Sequence, residues 1–227
     1  MQGLVLVNKP QDITSFDAVK KVRYVSKQKK VGHAGTLDPF ATGLLIIAIG
    51  RAYTKLLDTF QALPKTYKTT LVLGKTTPTL DPESEFTEET PLQTPPTKDA
   101  IETVLASFVG ENMQMPPDFC AKKVNGQRAY KLARNGEKVT LEPAKVSITE
   151  LTLDDYKPSE FPEISFTCKC SKGTYIRSLV RDIGEKLGHP AYTLTLIRTA
   201  IGDYQVANSV AIDDLTESTL SDNLFSL

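Results

Sequence analysis

An α+β fold, a mixed and mainly antiparallel sheet flanked by helices, is what this sequence of 227 residues predicts. Two observations carry the prediction. Short apolar runs of strand length, such as Gly3–Val7 and Leu44–Ile49, are interspersed with stretches whose apolar residues recur at helical spacing. The two kinds of segment do not alternate strictly, as a doubly wound parallel sheet would require. The chain has no internal repeat and is long enough to bury a sound core as one large domain or two small ones.

The elements follow in order. Gly3-Leu4-Val5-Leu6-Val7 forms a buried strand ending at Asn8-Lys9-Pro10. Thr14 or Ser15 caps a helix with Phe16, Val19 and Val22 on one side. The loop Gly32-His33-Ala34-Gly35-Thr36-Leu37-Asp38-Pro39 leads into the central strand Leu44–Ile49, and Tyr67–Gly74 is a further strand. Residues 76–97, rich in Thr, Pro and Glu, form a mostly exposed connection. Thr97 caps a helix with Ile101, Val104, Leu105 and Phe108 inward and Gly110 at its end. After the break at Pro116-Pro117 comes a basic, hairpin-like excursion with a short helix, Arg128–Arg134. Ile164, Phe166, Cys168 and Cys170 alternate along a strand, so both sulfurs face the apolar side. Gly173-Thr174 opens a helix with Ile176, Leu179, Val180, Ile183 and Leu187 inward, and a last strand covers Leu194–Ile197.

Composition narrows the class. Hydrophobic content of 40% and charged content of 24% are ordinary for a globular protein. No apolar run approaches the roughly 20 residues that span a bilayer, and no signal peptide is evident at Met1-Gln2-Gly3-Leu4, so a cytoplasmic location without membrane contact is expected. Three cysteines are an odd number, which favours reduced thiols over a disulfide framework. The net charge of zero conceals segregation. Lys20, Lys21, Arg23, Lys27, Lys29 and Lys30 stand together with no acid among them. Lys122, Lys123, Arg128, Lys131, Arg134 and Lys138 form a second basic run, whereas Asp81, Glu83, Glu85, Glu88 and Glu89 cluster as acids. Local potential governs where a polyanion docks, so two basic runs flanking one candidate loop point to nucleic acid. For either run alone, a solvated helix face is the usual explanation.

Several chemistries fail on spacing. Leu73-Gly74-Lys75-Thr76 ends like a phosphate-binding loop, but Thr69 stands where that loop needs a glycine and Pro78 prevents the following helix. Cys168-Lys169-Cys170 has no second pair at zinc spacing. His33 and His189 lie far apart, and His189 follows a helix-ending glycine. What remains is Asp38, Tyr67 and the segment Gly173-Thr174-Tyr175-Ile176-Arg177. Glycine, aspartate and proline make the Asp38 loop either a plain turn or a rigid mount for one carboxylate. Arg177 sits in the first turn of its helix, where the dipole disfavours a cation, with Arg181 one turn later on the same face. That placement fits either a plain surface arginine or one with an anionic partner, for which Asp38 would serve; an aspartate held by an arginine stays ionised, as a nucleophile must. Tyr67 and Tyr175 suit either stacking on a planar ligand or packing in a core.

In these segments the chain resembles the TruB family of tRNA pseudouridine synthases. The resemblance runs from Gly3 to about Asn208, on Val7-Asn8-Lys9-Pro10 with Thr14-Ser15, the Gly32–Leu45 loop, Lys65-Thr66-Tyr67, Pro116-Pro117, Lys123–Tyr130 and Gly173–Leu179. It implies a pseudouridine synthase fold with an RNA-clamping insertion at about residues 113–143 in a catalytic domain of residues 1–208. It also implies isomerisation of uridine 55 in the T-loop of tRNA to pseudouridine, with no cofactor and no metal. By position, Asp38 matches the catalytic aspartate, Arg177 its arginine partner and Tyr67 the tyrosine that stacks on the flipped base. Tyr175 matches a second pocket aromatic, Leu196 an apolar wall, Asp81 a polar substrate contact, and His33 the residue that fills the place of the flipped base. Lys9 and Pro10 match loop supports. Lys20, Lys29, Lys30, Lys123, Arg128 and Arg181 are the expected contacts to the T-arm. The departures are Asp12 in place of a glycine, Phe119-Cys120 in place of Tyr-Ser, and no glycine near Glu83-Ser84. Residues 209–227 read as a short acidic tail where the family has a PUA domain, so weaker, more salt-sensitive tRNA binding by a monomer is expected. A tRNA-folding chaperone, or a synthase with another RNA target, are the competing functions.

Overall fold

Strand β1, Gly3–Lys9, opens the chain, and the computed structural model describes residues 1–120, 122–124, 126–137 and 140–226. It divides into two compact units, Met1–Lys68 with Thr195–Leu227, and Thr69–Leu194. In the first unit, helix α1 (Ser15–Ser26) follows β1. Thr14 is its cap: the Thr14 side chain accepts the Asp17 N–H, and the Asp17 carboxylate accepts the Thr14 N–H, a reciprocal capping box. Ala18, Val19, Val22 and Val25 face the core. Phe16 does not join them. It is 51% exposed and lies under the Lys20 ammonium and the Arg23 guanidinium.

Strand β2 (Val31–His33) and strand β3 (Thr42–Ile49) form an antiparallel pair, and β3 is buried on both faces, as the unbroken apolar run from Leu44 to Ile49 demands. Short helices α2 (Arg51–Thr54) and α3 (Leu57–Ala62) lead to strand β4 (Lys65–Leu73), which starts in the first unit and ends in the second.

In the second unit, β5 (Lys75–Thr76) and β6 (Glu88–Glu89) make a small hairpin around residues 77–87. Thr97 caps helix α4 (Lys98–Ala106), whose Ile101 and Leu105 are buried. Gly110 does not end that helix as expected. It begins strand β7 (Gly110–Gln114), its φ of 113° turning the chain out of the preceding loop. A second hairpin, β8 (Lys123–Val124) and β9 (Gln127–Arg128), precedes helix α5 (Ala129–Arg134). Asn125 and Lys138 lie outside the described residues, as do the side chains of Lys123 and Arg128. Strand β10 (Ala144–Lys157) had no clear sequence signature because its burial alternates irregularly. It pairs with β7 on one side and with β11 (Glu163–Cys170) on the other, with two register shifts on the β11 side. Helix α6 (Ile176–Lys186) then leads to β12 (Ala191–Ile201), which returns the chain to the first unit. The sheet order in this unit is β12-β4-β11-β10-β7.

The chain ends in the first unit with β13 (Tyr204–Gln205), β14 (Val210–Ala211) and helix α7 (Glu217–Asp222). Residues 209–227 are acidic in sequence, yet β14 pairs in parallel with β1, and Ile212, Leu215 and Leu220 enter the core beneath α1. Leu4 and Phe225 exchange backbone hydrogen bonds of 2.9 and 3.0 Å. The sheet order here is β14-β1-β3-β12-β4. Both parallel and antiparallel pairs occur, the mixed α+β arrangement expected. Along one edge β3 changes partner: Thr42 and Gly43 pair with Ile197 and Arg198 of β12, whereas Ile47–Ile49 pair with β2. The loop of residues 34–41 leaves the sheet at that change.

Candidate active site

The loop bearing Asp38 is gripped at its backbone by side chains from three other elements of the first unit. Ser15 Oγ, at the start of α1, accepts the Leu37 N–H at 2.8 Å and donates to the Leu37 carbonyl at 3.1 Å. The Lys9 ammonium at the end of β1 is fully buried and donates to the carbonyls of Pro10, Ile13 and Pro39 at 2.8, 2.8 and 3.1 Å. The Asp12 N–H also reaches the Pro39 carbonyl, at 3.0 Å. Asp12 has φ +64°, a left-handed conformation that aspartate tolerates where other side chains would strain, so it does the work of the expected glycine. Within the loop, the Ala41 N–H bonds the Asp38 carbonyl at 3.1 Å, closing a tight turn at the half-buried Asp38. Gly and Pro here make a turn and a mount at once.

Arg198 supplies the third grip, and it lies one residue beyond the strand expected at Leu194–Ile197. It is 1% exposed on the inward face of β12. Its Nε donates to the Leu44 carbonyl at 2.8 Å, Nη2 to the Gly35 carbonyl at 3.1 Å, and Nη1 to the Thr36 carbonyl at 3.4 Å. Its guanidinium also hydrogen-bonds the phenol of Tyr67. Burial pushes the Arg198 pKa down, while Tyr67 and the Asp38 carboxylate favour the cation. Gly43 is required opposite it: a Cβ there would stand 2.3 Å from the Arg198 carbonyl oxygen. His33, at the end of β2, is half-buried, and its Nδ1 has no hydrogen-bond partner among the described residues. Burial first, and the Arg198 charge second, push its pKa down, so the imidazole is neutral at neutral pH. Leu196, two residues before Arg198 on β12, is 6% exposed and on the same strand face.

The second unit holds another buried cluster. Arg177 is 4% exposed in the first turn of α6, and its Nη1 meets the Asp81 carboxylate at 3.1 Å and the Thr79 carbonyl at 2.7 Å. Nη2 donates to the Phe119 carbonyl at 3.0 Å. The anionic partner that its position demands within this unit is therefore Asp81, which is 1% exposed and also accepts the Thr79 hydroxyl and the Glu83 N–H. Leu80, with φ +60°, turns the chain between the two Arg177 contacts. The pairing of Arg177 with Asp38 suggested by sequence concerns residues of different units. Tyr175 is held by a pair of bonds with Gln114, whose Oε1 accepts the Tyr175 N–H at 2.8 Å and whose Nε2 donates to the Tyr175 carbonyl at 3.1 Å. Gln114, 61 residues away and 3% exposed, was invisible to local pattern.

The remaining basic candidates divide by surroundings. Lys29 and Lys30 are exposed. Lys20 is exposed but paired with Asp17 at 2.8 Å, a bond worth little in water. Arg181 is paired with Asp182 at 2.7 Å and donates to the Met115 carbonyl. Cys168 and Cys170 are free thiols in the core, and the hydrogen bond with Cys170 together with burial pushes the Cys168 thiol up, away from nucleophilic chemistry. Among the described residues no group of His, Cys, Asp or Glu is placed to hold a metal ion, and no helix is long and apolar enough to cross a membrane.

With that geometry established, comparison with known proteins decides the family. Residues 23–176 match the TruB family pseudouridylate synthase (N terminal domain). This chain belongs to the TruB family. It is 46% identical to the tRNA pseudouridine synthase B of Parabacteroides distasonis, over 96% of this chain and 94% of that protein. The tRNA pseudouridine synthase B of Phocaeicola vulgatus is 44% identical, over 95% and 93%, and that of Aquifex aeolicus 42%, over 96% and 75%. Membership makes the chain a pseudouridine synthase, an isomerase. Among solved structures, a Cbf5-Nop10-Gar1 complex contains a chain with a TM-score of 0.70 at 23% identity, covering 94% of this chain. A chain of an H/ACA RNP bound to a substrate RNA containing 2'-deoxyuridine follows at 0.68 and 22%. This chain spans about half the length of both, and the likeness speaks for the pseudouridine synthase fold.

Proposed function

We propose that this TruB-family enzyme converts uridine 55 in the T-loop of tRNA to pseudouridine, with Asp38 as the nucleophile. That the substrate is a tRNA is supported by relatives named tRNA pseudouridine synthase B, at 41–46% identity. The finer reading rests on one observation: Asp38 stands on a loop whose backbone is held by Lys9, Ser15 and Arg198, with Tyr67 tied to the same guanidinium. Three separate grips on one short turn are more than a chain reversal needs. They suit a carboxylate that must meet a reacting carbon without reorganising.

The chemistry is an isomerisation. The base is extruded from the T-loop, at a cost of a few kcal/mol, and stacks on Tyr67. Asp38 attacks the nucleotide as the bond from C1′ to N1 breaks, the uracil turns, and C5 bonds to C1′ as the bond to Asp38 breaks and the carboxylate is freed. The C5 proton leaves and N1 gains one, so atoms balance and neither oxidant nor reductant is needed. Tyr67 serves the late proton transfer, and Arg177, set by Asp81, is the active-site arginine. Tyr175 and Leu196 line the pocket, and neutral His33 fills the stack that the flipped base leaves. Lys20, Lys29, Lys30, Lys123, Arg128 and Arg181 meet T-arm phosphates, so binding weakens with salt. We place the enzyme in the cytoplasm, as a monomer.

Tritium release from tRNA labelled at uracil C5 tests the reading. Release is expected from the native chain and its loss in Asp38→Asn; release persisting in that variant would end the nucleophile assignment. Binding without release by the native chain would favour a folding chaperone, and release from tRNA whose uridine 55 is replaced would favour another target.

A further inference from the structure

We infer that Arg198 is a positioning residue for pseudouridine formation, one that fixes the spacing between the Asp38 loop and Tyr67. The inference deepens the function proposed above and rests on it. Its basis is that one planar guanidinium spans three structural pieces. Nε is spent on the Leu44 carbonyl of β3, which anchors the side chain to the central strand. The two Nη groups reach the Gly35 and Thr36 carbonyls, on the approach to Asp38. The same group bonds the Tyr67 phenol, on β4. Loop, strand and tyrosine therefore share one rigid fork.

The topology explains why a side chain is needed there. Between the β12-paired and β2-paired stretches of β3, the ladder is interrupted, and the loop of residues 34–41 emerges beside the gap. Backbone carbonyls at such an interruption have to find donors other than a neighbouring strand. An arginine on the inward face of β12 provides them from within the sheet. Lysine would not replace it: an ammonium donates from one point, and its tetrahedral geometry does not match carbonyls fanned around a plane. The charge of the guanidinium is favoured by the Asp38 carboxylate and the Tyr67 phenol, while burial opposes it.

The experiment uses the full chain with tRNA labelled at uracil C5, under single-turnover conditions that separate the rate constant from the active fraction. Arg198→Lys is expected to lower the rate constant about 10²-fold, the penalty of a small misplacement of reacting groups, while the Kd for tRNA is unchanged. Arg198→Met, which also removes the charge, is expected to be slower still. Thr199→Val, the next residue of β12, whose hydroxyl only donates to the Thr66 carbonyl, is the control and should react at the native rate. A merely structural role would instead show a lower amplitude with the native rate constant and a lower melting temperature. That result for Arg198→Lys would overturn the inference, as would failure of both Arg198 variants to fold, which would make the residue a core element first. If the native chain releases no tritium, or Asp38→Asn still does, the proposed function fails rather than Arg198. A native-like Arg198→Lys beside an inactive Asp38→Asn would refute the Arg198 inference alone.

Discussion

Arg198 in the first unit and Arg177 in the second are both almost completely buried arginines, and they meet the cost of burial differently. Arg177 is set against a buried carboxylate, Asp81, with two carbonyls around it. Arg198 is surrounded by carbonyls and a phenol. A charge matched by an adjacent carboxylate is stable but spends its field on that partner. A charge solvated by neutral acceptors keeps its field for groups farther off, at the cost of a lower pKa. The first arrangement sets a charge against a charge, and the second sets a charge among neutral dipoles.

The contrast can be broken most severely in the second unit. Asp81→Ala strips the carboxylate from Arg177 and leaves a buried cation, so stability should fall by about 3–5 kcal/mol. Urea denaturation measures it, and a loss under 1 kcal/mol would mean that Arg177 is well solvated without its acid. In the first unit, Lys9→Met should cost less, about 2 kcal/mol, since it deprives neutral carbonyls of a donor. Because the Pro39 carbonyl loses one of its two donors, tritium release should slow as well; a native rate would show that Asp12 alone secures the turn. The smallest effect sharpens the electrostatic side. The folded pKa of His33 lies below its ordinary 6.5. Its contribution to stability is thus complete above 6.5 and is lost as the pH falls from there toward the depressed value. His33→Gln should flatten the fall in melting temperature below pH 6.5, and an unchanged slope would exclude His33 as its source.

Much of this was legible in the residues because it is local. A run such as Leu44–Ile49 has no polar face and must be central, and Thr14 with Asp17 announces a helix start. Asp38 stood out since glycine and proline around one acid have few purposes. Arg198 was missed for an equally physical reason. The expected strand stopped at Ile197, yet the alternation continues through Leu196, Arg198 and Ala200, all buried. An arginine in an inward register is the available signal, visible only when the strand is followed to Ile201. Phe16 was placed with Val19 and Val22 because helical spacing gives a shared side, whereas in the fold it is half exposed beneath Lys20 and Arg23. The Asp81–Arg177 and Gln114–Tyr175 contacts span 96 and 61 residues, and no local pattern encodes them.

The grips on the Asp38 loop all close on main-chain atoms: the carbonyls of Gly35, Thr36 and Pro39, and both peptide groups of Leu37. The shape of the loop is therefore written at positions 9, 12, 15 and 198 and not in the side chains of the loop itself. Thr36 is exposed and is tied to Arg198 through its carbonyl, so a change of its side chain leaves that bond in place. Substitutions within the loop and substitutions at the positions that grip it therefore have different consequences, the first altering surface chemistry and the second altering shape.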